Sequence, residues 1–377
     1  MSRRDLLKRA ALFTTHLPMI LSFLIAASSV SAASISPALI KAKQEAEAKG
    51  YVFATSQEEI IGNAKQEGKL RAFGSLDAQG LKALNQAFRN KYPFIDSKVE
   101  EITGTENYTR MLLEMKAGLA KGWDVNYVAF DLYPEYVPHQ KKFDMLGMAQ
   151  HGVLGIPLKM IDPVNRHIVV VASDFQVIGF NKKRLPPEKV PDTWEGLLRE
   201  EFKGRKFVLD IRPKDIAALV PAWGMEKTLA FARKLAAQEP VWIRGGVSRI
   251  LLQTGEHPLV VGPNLASVLR ARDKDPDITY KILEPVPARL NEAQAILNAA
   301  SHPYAGLLWL EFICSPEGQK IIDQHEPYGA SFLTPGSVQE KLTRGLKLSI
   351  IDWDHVTRME GYQKKVVEAY GFPRAQK

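Results

Sequence analysis

The sequence predicts an α/β protein of two lobes, each a mainly parallel sheet flanked by helices. Three observations predict it. Short β-rich runs alternate with amphipathic helical stretches along most of the chain, which is the pattern of βα units on parallel sheets. A length of 377 residues fits about two domains. No Pro/Gly/Ser-rich linker divides the chain, so the lobes are expected to be joined by strands that cross between them.

The elements follow in order. Residues 41–50 are charged and Ala-rich, a helix or a loose lead-in. Residues 56–67 read as a helix capped by Ser56, with Ile60, Ile61 and Ala64 as its apolar stripe. A strand over 70–73 ends at Gly74-Ser75-Leu76-Asp77, and Leu81, Leu84 and Phe88 then recur at helical spacing. Strands are expected over 97–101 and 124–130, with a helix over 106–119 between them. Residues 167–180 form a long β-rich run with an expected bend at Ser173-Asp174. Further strands are read over 206–210, 258–262 and 279–283, and one or two helices over 215–237. Helices are expected over 292–299 and 304–314. Ser315-Pro316 opens another, with Ser at the cap and Pro at the first helical position.

Composition excludes several classes. Hydrophobic residues make up 45% and charged residues 24%, so disordered and fibrous chains are out. The single cysteine, Cys314, rules out an intrachain disulfide and a Cys-rich metal site. Fifty Lys+Arg against 42 Asp+Glu give a net charge of +8, of which Arg3, Arg4, Lys8 and Arg9 against Asp5 supply +3. The mild remainder does not point to nucleic acid.

The first 32 residues have the order of an export signal: a cationic start, an apolar run from Ala10 to Ala27, and the small residues Val30-Ser31-Ala32 before cleavage near Ala32. Thr14, Thr15, His16 and Pro18 break the apolar run, against a permanent anchor. Ser2-Arg3-Arg4-Asp5-Leu6-Leu7-Lys8 resembles the twin-arginine export motif. The mature protein is therefore expected free in a bacterial periplasm.

Several segments carry a family resemblance. Asn63-Ala64-Lys65-Gln66-Glu67-Gly68-Lys69-Leu70 leads into the first strand. Gly179-Phe180-Asn181-Lys182 is followed by Val190-Pro191-Asp192-Thr193-Trp194-Glu195-Gly196-Leu197-Leu198 and Phe202-Lys203-Gly204-Arg205. Ala299-Ala300-Ser301-His302-Pro303 precedes Ser315-Pro316-Glu317-Gly318-Gln319-Lys320. In this order, over residues 60–336, these stretches resemble the periplasmic substrate-binding proteins of ABC importers, in the group of ferric-iron and polyamine receptors. The motifs mark a scaffold and not a ligand: Asp192 is read as a helix cap and Trp194 as an inward-packing side chain.

The resemblance implies a type II periplasmic binding protein fold with hinge strands near 170–180 and 283–287. Lobe 1 is expected over 56–174 and 286–320. Lobe 2 is expected over 175–285 and 321–377, with a lead-in over 33–55. It further implies a ligand closed between the lobes and delivered to permease subunits in the inner membrane, by a monomer that binds no nucleic acid and needs no cofactor.

Candidate ligand-binding residues lie where strands end. Ser75, Leu76 and Asp77 follow the first strand, although Ser75 or Asp77 can equally cap the next helix. Thr105 and Asn107 stand before a helix, with the same ambiguity. Asp131 and Tyr133, with Glu135 and Tyr136, follow the third strand and offer an acid and aromatics to an amine. Arg212, Arg244 and Asn264 come from the other lobe, and an arginine offers a forked donor to a carboxylate. Arg244-Gly245-Gly246 with Ser248 reads as a possible anion-accepting turn. Each of these side chains could instead be a surface or packing residue. The leading ligand is a small organic anion or zwitterion; a cationic amine is the rival.

Ferric receptors of this group use two adjacent tyrosines in the second lobe. This chain has Pro263-Asn264-Leu265-Ala266 there and no Tyr-Tyr pair at all, so a metal site is not expected. No His-Glu-x-x-His, G-x-S-x-G or phosphate-loop motif occurs, and the eight histidines are scattered. Cys314, between apolar neighbours, reads as a buried thiol. The expected function is solute capture without catalysis. The alternatives are a ferric-iron or polyamine receptor, and a periplasmic enzyme on a binding-protein scaffold.

Overall fold

The computed structural model describes residues 36–244, 248–254, 256–325 and 329–372. The export signal lies outside the described residues. Among them, no helix is long and apolar enough to cross a membrane.

Helix α1 (Pro37–Ala48) precedes α2 (Gln57–Glu67), which starts where the Ser56 side chain accepts the Glu59 N–H at 3.1 Å. It stops at Gly68, whose φ of 64° is the left-handed conformation that releases a chain from a helix. Strand β1 (Lys69–Gly74) alternates buried with less buried positions. Helix α3 (Ala78–Lys91) buries Leu81, Leu84 and Phe88, the stripe the spacing predicts. Strand β2 (Asp96–Glu101), α4 (Thr105–Lys116) and β3 (Val125–Val128) complete two βα units, and β2-β1-β3 pair in parallel.

Strand β4 (Ile168–Asn181) is buried at all its residues, as a strand covered on both faces should be. It is unbroken at Ser173-Asp174, where a bend was expected, and its register shifts instead between Gln176 and Ile178. After it come β5 (Val208–Asp210), α5 (Lys214–Ala217), α6 (Met225–Ala236), β6 (Val241–Ile243) and β7 (Leu259–Asn264). Helix α7 (Leu265–Arg272), β8 (Ile278–Lys281) and β9 (Val286–Ile296) follow. The last elements are α8 (Pro303–Cys314), α9 (Pro316–His325), β10 (Leu348–Ile351) and α10 (Met359–Tyr370).

Residues 292–296 of the helix expected over 292–299 are instead the second half of β9. Glu, Ala and Gln favour helix locally, but this stretch hydrogen-bonds to β3 on one side and β4 on the other. Burial in the middle of a sheet overrides local propensity. The strand order is β2-β1-β3-β9-β4-β7-β5-β6, with β10 added to β9 and β8 to β4. The flanks β2-β1-β3 and β6-β5-β7 are parallel, and every antiparallel pairing involves β4 or β9. The β4 register switches within the strand: Ile168 to Phe175 face β9, and Gln176 to Asn181 face β7 and β8. One strand thus runs from one parallel flank into the other.

Trp194 is 1% exposed and its indole N–H donates to the Pro285 carbonyl at 3.0 Å, a packing role as read from the sequence. The expected cap at Asp192 is not made; Thr193 Oγ1 accepts the Gly196 N–H at 3.1 Å, and Asp192 pairs with Lys281. Ser315 Oγ accepts the Gly318 N–H at 3.2 Å at the start of α9. Cys314 is buried, and burial pushes its thiol well above the ordinary range.

Candidate functional site

Two cavities open where the strand ends of the parallel flanks approach β4 and β9. The first, about 470 Å³, lies between the ends of β1 and β7 and includes Ser75, Leu76, Asp77 and Asn264. Gly74 closes β1 because a Cβ there would stand 3.0 Å from Leu81, 3.1 Å from Gln294 and 3.2 Å from Glu292. That absence of a side chain lets the Glu292 carboxylate reach the turn. Glu292 is 1% exposed and adopts φ 55°, a conformation costly for a residue with a Cβ. It accepts the Ser75 N–H at 2.8 Å, the Ser75 hydroxyl and the Gln294 amide at 2.8 Å. Gln294 in turn accepts the Trp309 indole N–H at 3.1 Å, so the turn is tied to the core by a relay of bonds.

The Ser75 hydroxyl hydrogen is spent on Glu292, and the Tyr108 and Tyr127 hydroxyls also hydrogen-bond to the Ser75 side chain. Asp77 caps α3 by accepting the Gln79 N–H at 2.9 Å, and Asn264 caps α7 by accepting the Ser267 N–H at 2.9 Å. Both line the cavity while holding a helix, so the capping and lining roles read from the sequence coincide. Asp77, Glu101, Asp174 and Glu292 stand against Arg270, so this cavity is acidic.

The second cavity, about 420 Å³, gathers Asp131 from beyond β3, Arg212 and Lys214 from beyond β5, Arg289 from β9, and Glu360 from α10. The Arg212 N–H donates to Asp210 Oδ1 at 2.8 Å, and its guanidinium is 3.9 Å from the same oxygen. Lys214 is partly buried and makes no ion pair within 4.0 Å among the described residues. Burial pushes its amine below the ordinary range, Arg289 and Arg212 push it further, and Asp131 and Asp210 oppose them. Lys214 therefore stands among both cations and carboxylates, with burial the largest cause of its lowered basicity.

Asp174 and Arg289 separate the two cavities. They are directly opposite in the β4–β9 register, hence on one face of the sheet, and their side chains meet at 3.2 Å. Asp174 lines the acidic cavity and Arg289 the basic one. Burial raises the Asp174 carboxyl, with Arg289 opposing the shift. The Arg289 Nε is buried with no hydrogen-bond partner.

The remaining expected site residues lie elsewhere. Thr105 and Asn107 are exposed on the first turn of α4, where the Asn107 amide donates back to the Thr103 carbonyl at 2.7 Å; it is Thr103 that lines the acidic cavity. Tyr133 is 2% exposed and donates its hydroxyl to Asp162, and Tyr136 donates to the Tyr108 carbonyl at 2.6 Å. Both aromatics turn inward because the apolar cluster of Met111, Leu112 and Ile168 lies beneath them. Glu135 pairs with Lys116 on the surface. Arg244 is exposed at the end of β6, and residues 245–247 of the expected turn lie outside the described residues. Glu101, Asp174, Lys214, Arg270, Arg289, Glu292 and Glu360 are the charged lining residues that the sequence reading missed. Among the described residues, no group of three His, Cys, Asp or Glu side chains could hold a metal ion.

Solved structures share this fold. An IdiA (FutA) protein of Trichodesmium in complex with iron and citrate superposes with a TM-score of 0.63 at 17% identity, covering 81% of this chain and 100% of that one. The ferric iron-binding protein A of Mannheimia haemolytica, in an open conformation, gives 0.61 at 18% identity over 80% and 98%. The substrate-binding protein of an ABC transporter from Agrobacterium tumefaciens gives 0.59 at 18% identity over 80% and 93%. At such identities the likeness establishes the type II periplasmic binding protein fold. No curated protein sequence matches the chain significantly. The family model described as bacterial extracellular solute-binding protein matches residues 147–358, more than half of the chain. The protein is a member of the bacterial extracellular solute-binding protein family.

Proposed function

We propose that the protein is the periplasmic receptor of an ABC importer, capturing a small organic anion or zwitterion between two lobes and delivering it to membrane permease subunits. The observation that carries the ligand class is Lys214: a partly buried amine without an ion pair, flanked by Arg212 and Arg289 in one cavity. A cation held so has no directly paired carboxylate among the described residues, and a ligand carboxylate, phosphonate or sulfonate would supply one with charge-assisted bonds.

The lobes of this reading are residues 56–174 with 286–320 and residues 175–285 with 321–377. The switch of β4 from one flank to the other supports a hinge at 170–180. Ligand contacts from both sides stabilise the closed form by differential affinity, and that form is what the permease would recognise. Export through the signal over residues 1–32 belongs to the same reading, and the family's extracellular description supports it.

A second reading, a ferric-iron or polyamine receptor, draws on the acidic cavity and on relatives whose structures hold iron. A thermal-shift screen of the mature protein with monocarboxylates, alkylphosphonates, amino acids, polyamines and ferric salts separates the two. Stabilisation by acids, lost in Lys214→Met, supports the anion reading. Stabilisation by ferric salts or polyamines alone overturns it.

A further inference from the structure

We infer that the solute is a zwitterion with its ammonium and acid groups at opposite ends, the ammonium in the acidic cavity and the acid group in the basic one. This rests on the anion reading above and adds the other end of the molecule.

The two cavities are neighbours and not separate sites. Asp174 and Arg289 pair directly across β4 and β9, share one face of the sheet and touch at 3.2 Å, and each lines one cavity. That ion pair neutralises the middle of the cleft and leaves an excess of carboxylates at one end and, at the other, the Lys214 amine without an ion pair among the described residues. On one side Asp77, Glu101 and Glu292 face Arg270; on the other Arg212 and Lys214 face Asp131 and Glu360.

A monoanion would satisfy Lys214 and leave the acidic end to water. A diamine would fill the acidic end and place a cation against Lys214 and Arg212. Only a molecule with both charges meets both ends favourably. The cavity volumes, about 470 and 420 Å³, are each of the size that holds part of a small metabolite.

The test uses the full mature chain and calorimetric titration with three matched series of three to six carbons: ω-amino acids, the corresponding monocarboxylates and the corresponding diamines. The inference expects the best amino acid to bind at least about tenfold more tightly than the acid and the diamine of its length. It also expects Glu101→Gln, an exposed change, to weaken the amino acid by about threefold or more while leaving the monocarboxylate unchanged. Equal affinity of acid and amino acid at every length, or an equal effect of Glu101→Gln on both, overturns the inference and leaves the anion reading standing. Binding of the diamines alone, or of none of the three series, overturns the anion reading itself.

Discussion

Replacing Lys214 by Met separates a ligand-binding role from a structural one, because the two roles predict changes of opposite sign. In the free protein the Lys214 amine is partly buried, which disfavours its charge most; Arg289 and Arg212 add to this and Asp131 and Asp210 oppose them. Met keeps the length and apolar stem and removes the repulsion, so ligand-free stability should stay level or rise by up to about 1 kcal/mol. Binding should move the other way. A hydrogen bond to a charged group contributes about 1.5–3 kcal/mol net, which raises Kd by roughly ten- to 150-fold when lost. At a ligand concentration of about 100 times the wild-type Kd, wild type gains roughly 2.7 kcal/mol of apparent stability. A variant with a hundredfold higher Kd gains only about 0.4 kcal/mol under the same conditions. Arg212→Gln is the internal control: that side chain is 56% exposed and already 3.9 Å from Asp210, so its loss should cost at most about 1 kcal/mol of binding. Calorimetry with a bound acid and thermal shift without it read both quantities. A Lys214→Met protein whose Kd stays within about twofold of wild type, or whose ligand-free stability falls by 2 kcal/mol or more, refutes the reasoning.

Three further outcomes follow from single residues. Asp215 is buried, its Oδ2 has no hydrogen-bond partner, and burial raises its carboxyl to about 6. An acid raised on folding favours the fold while protonated; its contribution is full below about pH 4 and is lost as pH rises through about 6. Asp215→Asn should therefore raise the melting temperature at pH 7.5 and change it little at pH 4, and equal shifts at both would sink the assignment. Gly262→Ala places a Cβ 2.0 Å from Asp215 Oδ2 at φ 78°, and should cost about 2–4 kcal/mol by urea denaturation; an unchanged midpoint would refute it. Tyr133→Phe removes the hydroxyl bonded to Asp162 and should cost about 1–2 kcal/mol of stability with no change in ligand affinity; a tenfold loss of affinity would return Tyr133 to the site.

Elements that carry their own signal were readable. Ser56 and Ser315 cap helices as their spacing indicates, and Leu81, Leu84 and Phe88 form a buried helical stripe. Residues 292–299 misled because Glu292-Ala293-Gln294-Ala295 favour a helix in isolation, and only β3 and β4, more than a hundred residues earlier, make them a strand. The site divides in the same way. Ser75, Asp77 and Asn264 announce themselves as small polar residues just after strands, where a cap and a cleft lining coincide. Lys214 and Arg289 do not, because a buried cation and a solvated one look alike in a sequence. What distinguishes them is distant company: Asp174 lies 115 positions from Arg289.

That distance explains why the charged middle of the cleft sits on β4 and β9. A cavity wall made by loops would move with its own flank. Asp174 and Arg289 belong to the two adjacent strands that run between the flanks, and on these the hinge of the proposed receptor is placed. Asp174 has its carboxyl raised by burial and is held by the Arg289 guanidinium at 3.2 Å, the Asn264 side chain and the Phe175 backbone, while Arg289 keeps a buried Nε without a partner. The pair is thus under-satisfied on its Arg289 side, and breaking it without replacement would leave the guanidinium desolvated. An acid group entering beside Lys214 brings the missing acceptor within reach of Arg289 from the basic side. Ligand charge and lobe position are then coupled through one pair of side chains, and a neutral solute of the same shape would fill the cleft without that coupling.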